Sequence, residues 1–91
     1  MRVLQTKHFE RRVKKLSPGH KAVLDAQVRR IVADPSLGEQ KKGDLQAVFV
    51  HKFHLDKTLY LLAYRYTEDL LELVMLGPHQ NYYKQLKNYL K

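Results

Sequence analysis

The chain predicts an α+β fold: an N-terminal strand and helical hairpin packed on a small, twisted, mainly antiparallel sheet, closed by a C-terminal helix. Three observations predict it. Apolar residues between Lys7 and Ala33 recur at helical spacing, those between Leu45 and Leu76 alternate or run continuously as in strands, and the last ten residues form a basic amphipathic segment. At 91 residues the chain makes one domain, 1–91, with material for one sheet face covered by helices.

Arg2-Val3-Leu4-Gln5 is a short edge strand. Thr6 is a side-chain N-cap for a helix over 7–16, whose Phe9, Val13 and Leu16 fall on one face. Ser17-Pro18 opens a second helix, because proline fits the first helical position. Leu24, Val28 and Ile31 make its buried stripe, with Ala22, Ala26 and Ala33 allowing close packing. Asp34-Pro35-Ser36-Leu37-Gly38 stops it, and Glu39 to Asp44 reads as a charged loop. The period then becomes two. Leu45, Ala47, Phe49, His51 and Phe53 alternate with Gln46, Val48, Val50, Lys52 and His54. Turns at Asp56-Lys57-Thr58 and Thr67-Glu68-Asp69 separate this strand from Leu59–Tyr66 and Leu70–Leu76, giving an antiparallel meander. Gly77-Pro78-His79 ends the apolar run, and Pro78 to Asn81 initiates a final helix. Tyr82, Leu86 and Tyr89, with Tyr83 and Leu90, form its apolar stripe, and Lys84, Lys87 and Lys91 are left for solvent.

Lys and Arg number 17 against 9 acids, a net charge of +8 and a pI near 9.8. Residues 1–45 hold 11 of the basic side chains, so the excess lies mostly in the N-terminal half. So much charge on so small a surface points to a polyanionic partner. Cysteine is absent, which excludes a disulfide framework and a thiolate metal site. The sequence turns polar within five residues of its start, so neither a signal peptide nor a membrane span is expected, and the cytoplasm is the default location. H-x₃-H, H-E-x-x-H, carboxylate-cluster and Gly-rich phosphate-loop patterns do not occur, so no metal or cofactor is expected.

Lys42-Gly43-x-Leu45 ahead of the meander, Lys52-Phe53-His54, the run from Tyr60 through Leu61, Leu62, Ala63, Tyr64 and Arg65 to Tyr66, and Leu76-Gly77-Pro78-His79 stand in the order strand, two helices, meander, short helix. In this the chain resembles the RelE/ParE superfamily of bacterial toxins from type II toxin–antitoxin systems. The likeness spans nearly the whole chain as architecture and residues 42–91 as motif. RelE-like members are mostly metal-independent, ribosome-dependent mRNA endonucleases. ParE-like members inhibit DNA gyrase without nuclease chemistry, so fold alone does not decide between them. YafQ-like members give the closest motif likeness. They carry a His at the start of the central hairpin, an Asp shortly after it and a His in a Gly-x-His turn, matched here by His54, Asp56 and His79. This hairpin is one residue longer. The subfamily's earlier His falls near Glu39, and the central-strand Arg of RelE is replaced by Leu61.

The resemblance implies a cytoplasmic toxin with a cognate antitoxin, acting on mRNA within the ribosome, or alternatively on DNA gyrase. A non-catalytic nucleic-acid or protein-binding module is a third reading. For RNA cleavage through the ribose 2′-hydroxyl, the reaction needs a base, an acid and positive charge on the phosphorane-like transition state. His54 and His79 are the acid–base candidates, since an imidazole titrates near pH ~6.5. Asp56 is the candidate to orient one of them. Lys52 and Arg65 are candidates to hold the phosphate, Lys84, Lys41 and Lys42 to bind the strand, and Tyr82 and Tyr83 to stack on bases.

Each has a structural alternative. His54 can be a partly buried, hydrogen-bonded residue, His79 a helix cap, and Arg65 the partner of Glu68 or Asp69. Tyr82 and Tyr83 are adjacent on a helix and cannot face the same way, so one is core. His51 alternates with Phe49 and Phe53 and reads as structural. The cluster from Arg11 to Lys15 is either a solvated helix face or a stripe against ribosomal RNA.

Overall fold

Strand β1 (Arg2–Gln5) leads into helix α1 (Lys7–Lys14) through Thr6, in the computed structural model that describes residues 1–45 and 48–91. The Thr6 hydroxyl accepts from the Phe9 N–H at 3.0 Å and donates to the Val74 carbonyl at 2.6 Å. One side chain therefore caps the helix and fastens it to a strand 68 residues away. Helix α2 (Pro18–Ala33) begins the same way, with Ser17 Oγ accepting from the His20 N–H at 3.2 Å and Pro18 in the first turn. At its end Asp34 accepts from both the N–H and the hydroxyl of Ser36, which closes the short 3₁₀ turn Pro35–Leu37.

The charged segment after Gly38 is partly strand: β2 (Glu39–Gln40) pairs antiparallel with β3 (Phe49–Leu55). β4 (Thr58–Tyr66) and β5 (Leu70–Pro78) complete the predicted meander. The sheet order is β1-β5-β4-β3-β2, with β1 parallel to β5 and the other pairs antiparallel. A bulge between Ala63 and Tyr64 shifts the β4–β5 register. Helix α3 (Tyr82–Leu90) ends the fold. It starts later than expected, because β5 runs through Pro78. Asn81 precedes it with φ 60°, a left-handed conformation that asparagine tolerates, and caps it with no side-chain bond. Leu45 lies in a 3₁₀ turn, Gly43–Leu45, rather than in a strand, and the expected alternation at Gln46 and Ala47 lies outside the described residues.

Both sheet faces are covered, one more than the chain length led us to expect. Under α1 and α2 lie Phe9, Leu24, Ile31, Phe53, Leu55, Leu62, Tyr64, Leu71, Leu73 and Leu76. Under α3 lie Val48, Val50, Leu61, Ala63, Val74, Met75, Tyr82 and Leu86, joined by Leu45. α3 commits Tyr82 and Leu86 to full burial, and an apolar side chain such as Leu86 contributes about 1.5–3 kcal/mol on transfer from water. Tyr64 pins the 34–38 segment: its hydroxyl donates to the Pro35 carbonyl and accepts from the Gly38 N–H, both at 2.8 Å. His51, 6% exposed, binds Gln27 Oε1 of α2 through Nε2 at 2.7 Å, the structural role its strand parity predicts. Among the described residues no helix is long and apolar enough to cross a membrane.

Candidate functional site

Strand alternation and register assemble a row on the α3 side of the sheet. Val50 of β3 belongs to the cluster under α3, so Lys52 and His54 follow it on that side, and both are exposed. His54 pairs across the ladder with Leu59 of β4, which packs against the same cluster. On the other flank of Leu59, its carbonyl accepts from the His79 N–H at 2.9 Å. His54 and His79 thus bracket one residue, two strand spacings or ~10 Å apart at the backbone. His79 is exposed and lies two residues beyond Gly77. The neighbouring row is Lys52, Leu61 and Gly77.

Cations border this surface on the β2 side. Lys41 forms an ion pair with Glu39 and sits over the Tyr83 ring, 5.1 Å from its centroid. The Glu39 hydrogen bond raises the Lys41 pKa, with smaller help from the nearby Tyr83 hydroxyl. Glu39 is lowered in turn, first by its hydrogen bond to Lys41 and last by the charge of Lys52. Lys42 and Lys84 are exposed. Tyr83 is half-buried, and its hydroxyl makes no hydrogen bond among the described residues.

Three expectations meet different surroundings. Tyr82 is 1% exposed and donates to the Met75 carbonyl at 2.6 Å, so no base can stack on it. Burial also pushes its phenol pKa strongly upward. Tyr82 is the member of the tyrosine pair that the core takes, and its ring packs over Gly77. Asp56 accepts from His20 Nε2 at 2.8 Å instead of reaching His54 or His79, since the left-handed turn residue (φ 55°) is held against α2. Arg65 faces Glu72 directly across β4 and β5 and donates to Oε1 from Nη2 at 2.9 Å and Nε at 3.1 Å. It lies six residues from Leu59, or ~20 Å along the strand.

One basic residue not expected here reaches the surface. The Arg12 Nη2 of α1 lies 3.7 Å from the position that a Cβ on Gly77 would occupy. The residues stand 65 positions apart, and no periodicity links them; the only sequence signal is the basic run of α1 itself.

A family model described as ParE-like toxin of type II bacterial toxin–antitoxin system matches residues 3–87. A chain of the intact E. coli RelBE toxin–antitoxin complex superposes with a TM-score of 0.66 at 14% identity, covering 84% of this chain and 93% of that one. The isolated E. coli RelE toxin does so with a TM-score of 0.65 at 14% identity, covering 96% of each chain. At that identity the two structures establish a shared fold. No curated protein matches the chain.

Proposed function

Because the chain belongs to the ParE-like toxin family of type II bacterial toxin–antitoxin systems, we propose that it is the toxin of such a pair and cleaves mRNA on the ribosome, in the cytoplasm. The observation that carries this reading is the backbone placement of two exposed histidines, His54 and His79, on either side of Leu59. Two strand spacings at the backbone, ~10 Å, set the span across which the two rings would hold a phosphate.

In the reaction the ribose 2′-oxygen bonds to the adjacent phosphorus as the bond to the 5′-oxygen breaks. The products are a 2′,3′-cyclic phosphate and a 5′-hydroxyl. One imidazole accepts the 2′-hydroxyl proton, and the other, protonated, delivers a proton to the departing 5′-oxygen. Lys52, beside His54 on the same side of β3, meets the charge that develops on the phosphate. Lys42 and Lys84 draw in the strand, Lys41 being paired with Glu39, and Tyr83 offers the aromatic face that Tyr82 does not. Asp56 and Arg65 have no part in this scheme, being engaged with His20 and Glu72. A cognate antitoxin is the expected protein partner, as one accompanies the toxin in the E. coli RelBE complex.

The test maps RNA 5′ ends after brief induction of wild type, His54→Ala and His79→Ala. General acid–base groups contribute about 10²–10⁴-fold each, so either variant is expected to lose cleavage by that order and to relieve growth arrest. Unchanged cut sites and rates in both variants would remove the histidines from the chemistry. A second reading, inhibition of DNA gyrase, is favoured by the ParE-like description of the family. It expects intact mRNA, gyrase-linked DNA damage and indifference to His54→Ala.

A further inference from the structure

Phosphoryl chemistry of this kind wants a planar, permanently charged guanidinium beside the phosphate, where its paired N–H groups match the phosphate oxygens. Arg65, the guanidinium suggested by sequence, is neutralised by Glu72 at the other end of β4. Arg12 is placed differently. Its Nη2 lies against Gly77, which shares a ladder row with Lys52 and Leu61 and precedes His79 by two residues. Among the described residues no carboxylate comes within ion-pair distance of Arg12.

Arg12 also lines a cleft of about 150 Å³ with His8, Arg11 and Lys15. That is several times the ~30 Å³ share of one liquid water. Three permanent cations face the cleft, and no acid lines it. The His8 Nδ1 is buried without a hydrogen-bond partner among the described residues, and the ring rests against Tyr89 with centroids 5.4 Å apart. Burial, and then the charges of Arg11 and Arg12, lower the His8 pKa, which keeps the imidazole neutral at pH 7. The cleft therefore gathers cationic donors with their counter-charge missing, on the flank of Gly77 opposite Lys52.

We propose that Arg12 is the phosphate-binding guanidinium of this surface, and that the cleft it shares with His8, Arg11 and Lys15 seats a phosphodiester of the RNA strand next to the one cut between His54 and His79. The proposal rests on the ribonuclease reading for the identity of the strand. Helix α1 then does more than cover the sheet: it forms one wall of an RNA track whose other wall carries Lys52. Gly77 lies in the track between them, where a Cβ would stand in contact with both Arg12 and Tyr82.

The experiment compares full-length wild type with Arg12→Gln, Arg12→Lys, Lys15→Gln and a control, Arg29→Gln, which removes one charge from α2. A fluorescent single-stranded RNA with 2′-O-methyl substitution at every position cannot be cut, and its binding is read by anisotropy across a salt series. Cleavage is read separately in a translation reaction. Arg12→Gln is expected to weaken oligonucleotide binding at least tenfold, to lower the salt slope by about one, and to slow cleavage about 10²-fold. Lys15→Gln is expected to weaken binding severalfold, and Arg12→Lys to recover binding better than cleavage, since it keeps the charge but not the fork. Thermal melts identify any variant that fails to fold, in which case Lys15→Gln carries the comparison. Equal binding by Arg12→Gln, Lys15→Gln and Arg29→Gln overturns the proposal. If His79→Ala abolishes cleavage while Arg12→Gln cuts at the wild-type rate, the proposal falls and the ribonuclease reading stands. If wild type binds the oligonucleotide through Arg12 and Lys15 without cutting RNA, the phosphate site stands and the ribonuclease reading falls.

Discussion

The Asp56 carboxylate accepts a hydrogen bond from His20 Nε2 at 2.8 Å, joining the β3–β4 turn to the first turn of α2. The carboxylate side chain is 82% exposed, so the pair is screened and contributes about 0.2–1 kcal/mol at most. Asp56→Asn keeps a residue that tolerates the turn's φ of 55° and removes the charge. It is expected to lower stability by less than ~1 kcal/mol, His20→Ala to do the same, and the double variant to lose no more than the worse single. RNA end-mapping on Asp56→Asn should show the wild-type cut pattern. A His79→Ala-like loss in that variant would return Asp56 to the chemistry.

His51, which is buried, and His8, which is half-buried, make stability depend on pH. Burial, with a smaller push from Arg30, lowers the His51 pKa, and burial with Arg11 and Arg12 lowers that of His8. Below the unfolded-state value of about 6.5 the unfolded chain takes up protons that the folded chain refuses, so stability rises with pH across this range. It is complete above ~6.5 and is lost as pH falls from there toward the depressed folded values. Urea midpoints should be higher at pH 8 than at pH 5.5, and His51→Gln should flatten part of the difference. A midpoint that rises on acidification contradicts the assignment.

Helix α3 depends on two buried side chains, which differ in kind. Leu86→Ala opens a cavity under the helix and is expected to cost about 2–5 kcal/mol. Tyr82→Phe removes only the hydroxyl that donates to the Met75 carbonyl, for about 0.5–1.5 kcal/mol. In a domain of this size each kcal/mol lowers the melting temperature by roughly 4–8 °C, so calorimetry separates the two. Equal losses would mean that α3 is held by something other than this packing.

Gly38 is constrained by close approach. A Cβ there would stand 2.8 Å from the Tyr64 hydroxyl and 3.0 Å from the Val50 carbonyl, and the latter is backbone that cannot swing aside. Overpacking of this sort costs about 1–3 kcal/mol, so Gly38→Ala should destabilise the protein by that order. Tyr64→Phe clears the hydroxyl but leaves the Gly38 N–H and Pro35 carbonyl without their bridge. The double variant should therefore recover part, and not all, of the glycine loss in denaturant titrations.

Local chemistry made much of this fold legible. Thr6 and Ser17-Pro18 announce their helices because a cap acts on residues two or three positions away. His51 and Phe53 fall on the α1/α2 face because strand parity is strict. The RelE-like order was readable in the same way. What could not be read depends on reach between distant segments. The Glu39–Gln40 strand exists because β3 offers an edge. The register shift at Ala63/Tyr64 leaves no mark in the alternation of the sequence. The candidate site was legible to the extent that His54 and His79 could be named, while the residue between them, Leu59, emerges only from register. Asp56 with His20, Arg65 with Glu72 and Arg12 with Gly77 are side-chain matters that no spacing encodes.

The parallel pairing of Arg2–Gln5 with Leu70–Leu73 has a temporal meaning. Strand β1 has no place to dock until β5 has been made, and Thr6 cannot tie down its helix before Val74 exists. Loop closure over so long a span is slow compared with local helix formation. Fragments ending before Leu70 should therefore behave as unfolded chains in proteolysis. The protein acquires its shape, and with it any capacity to harm, only once Leu70 to Pro78 have been made.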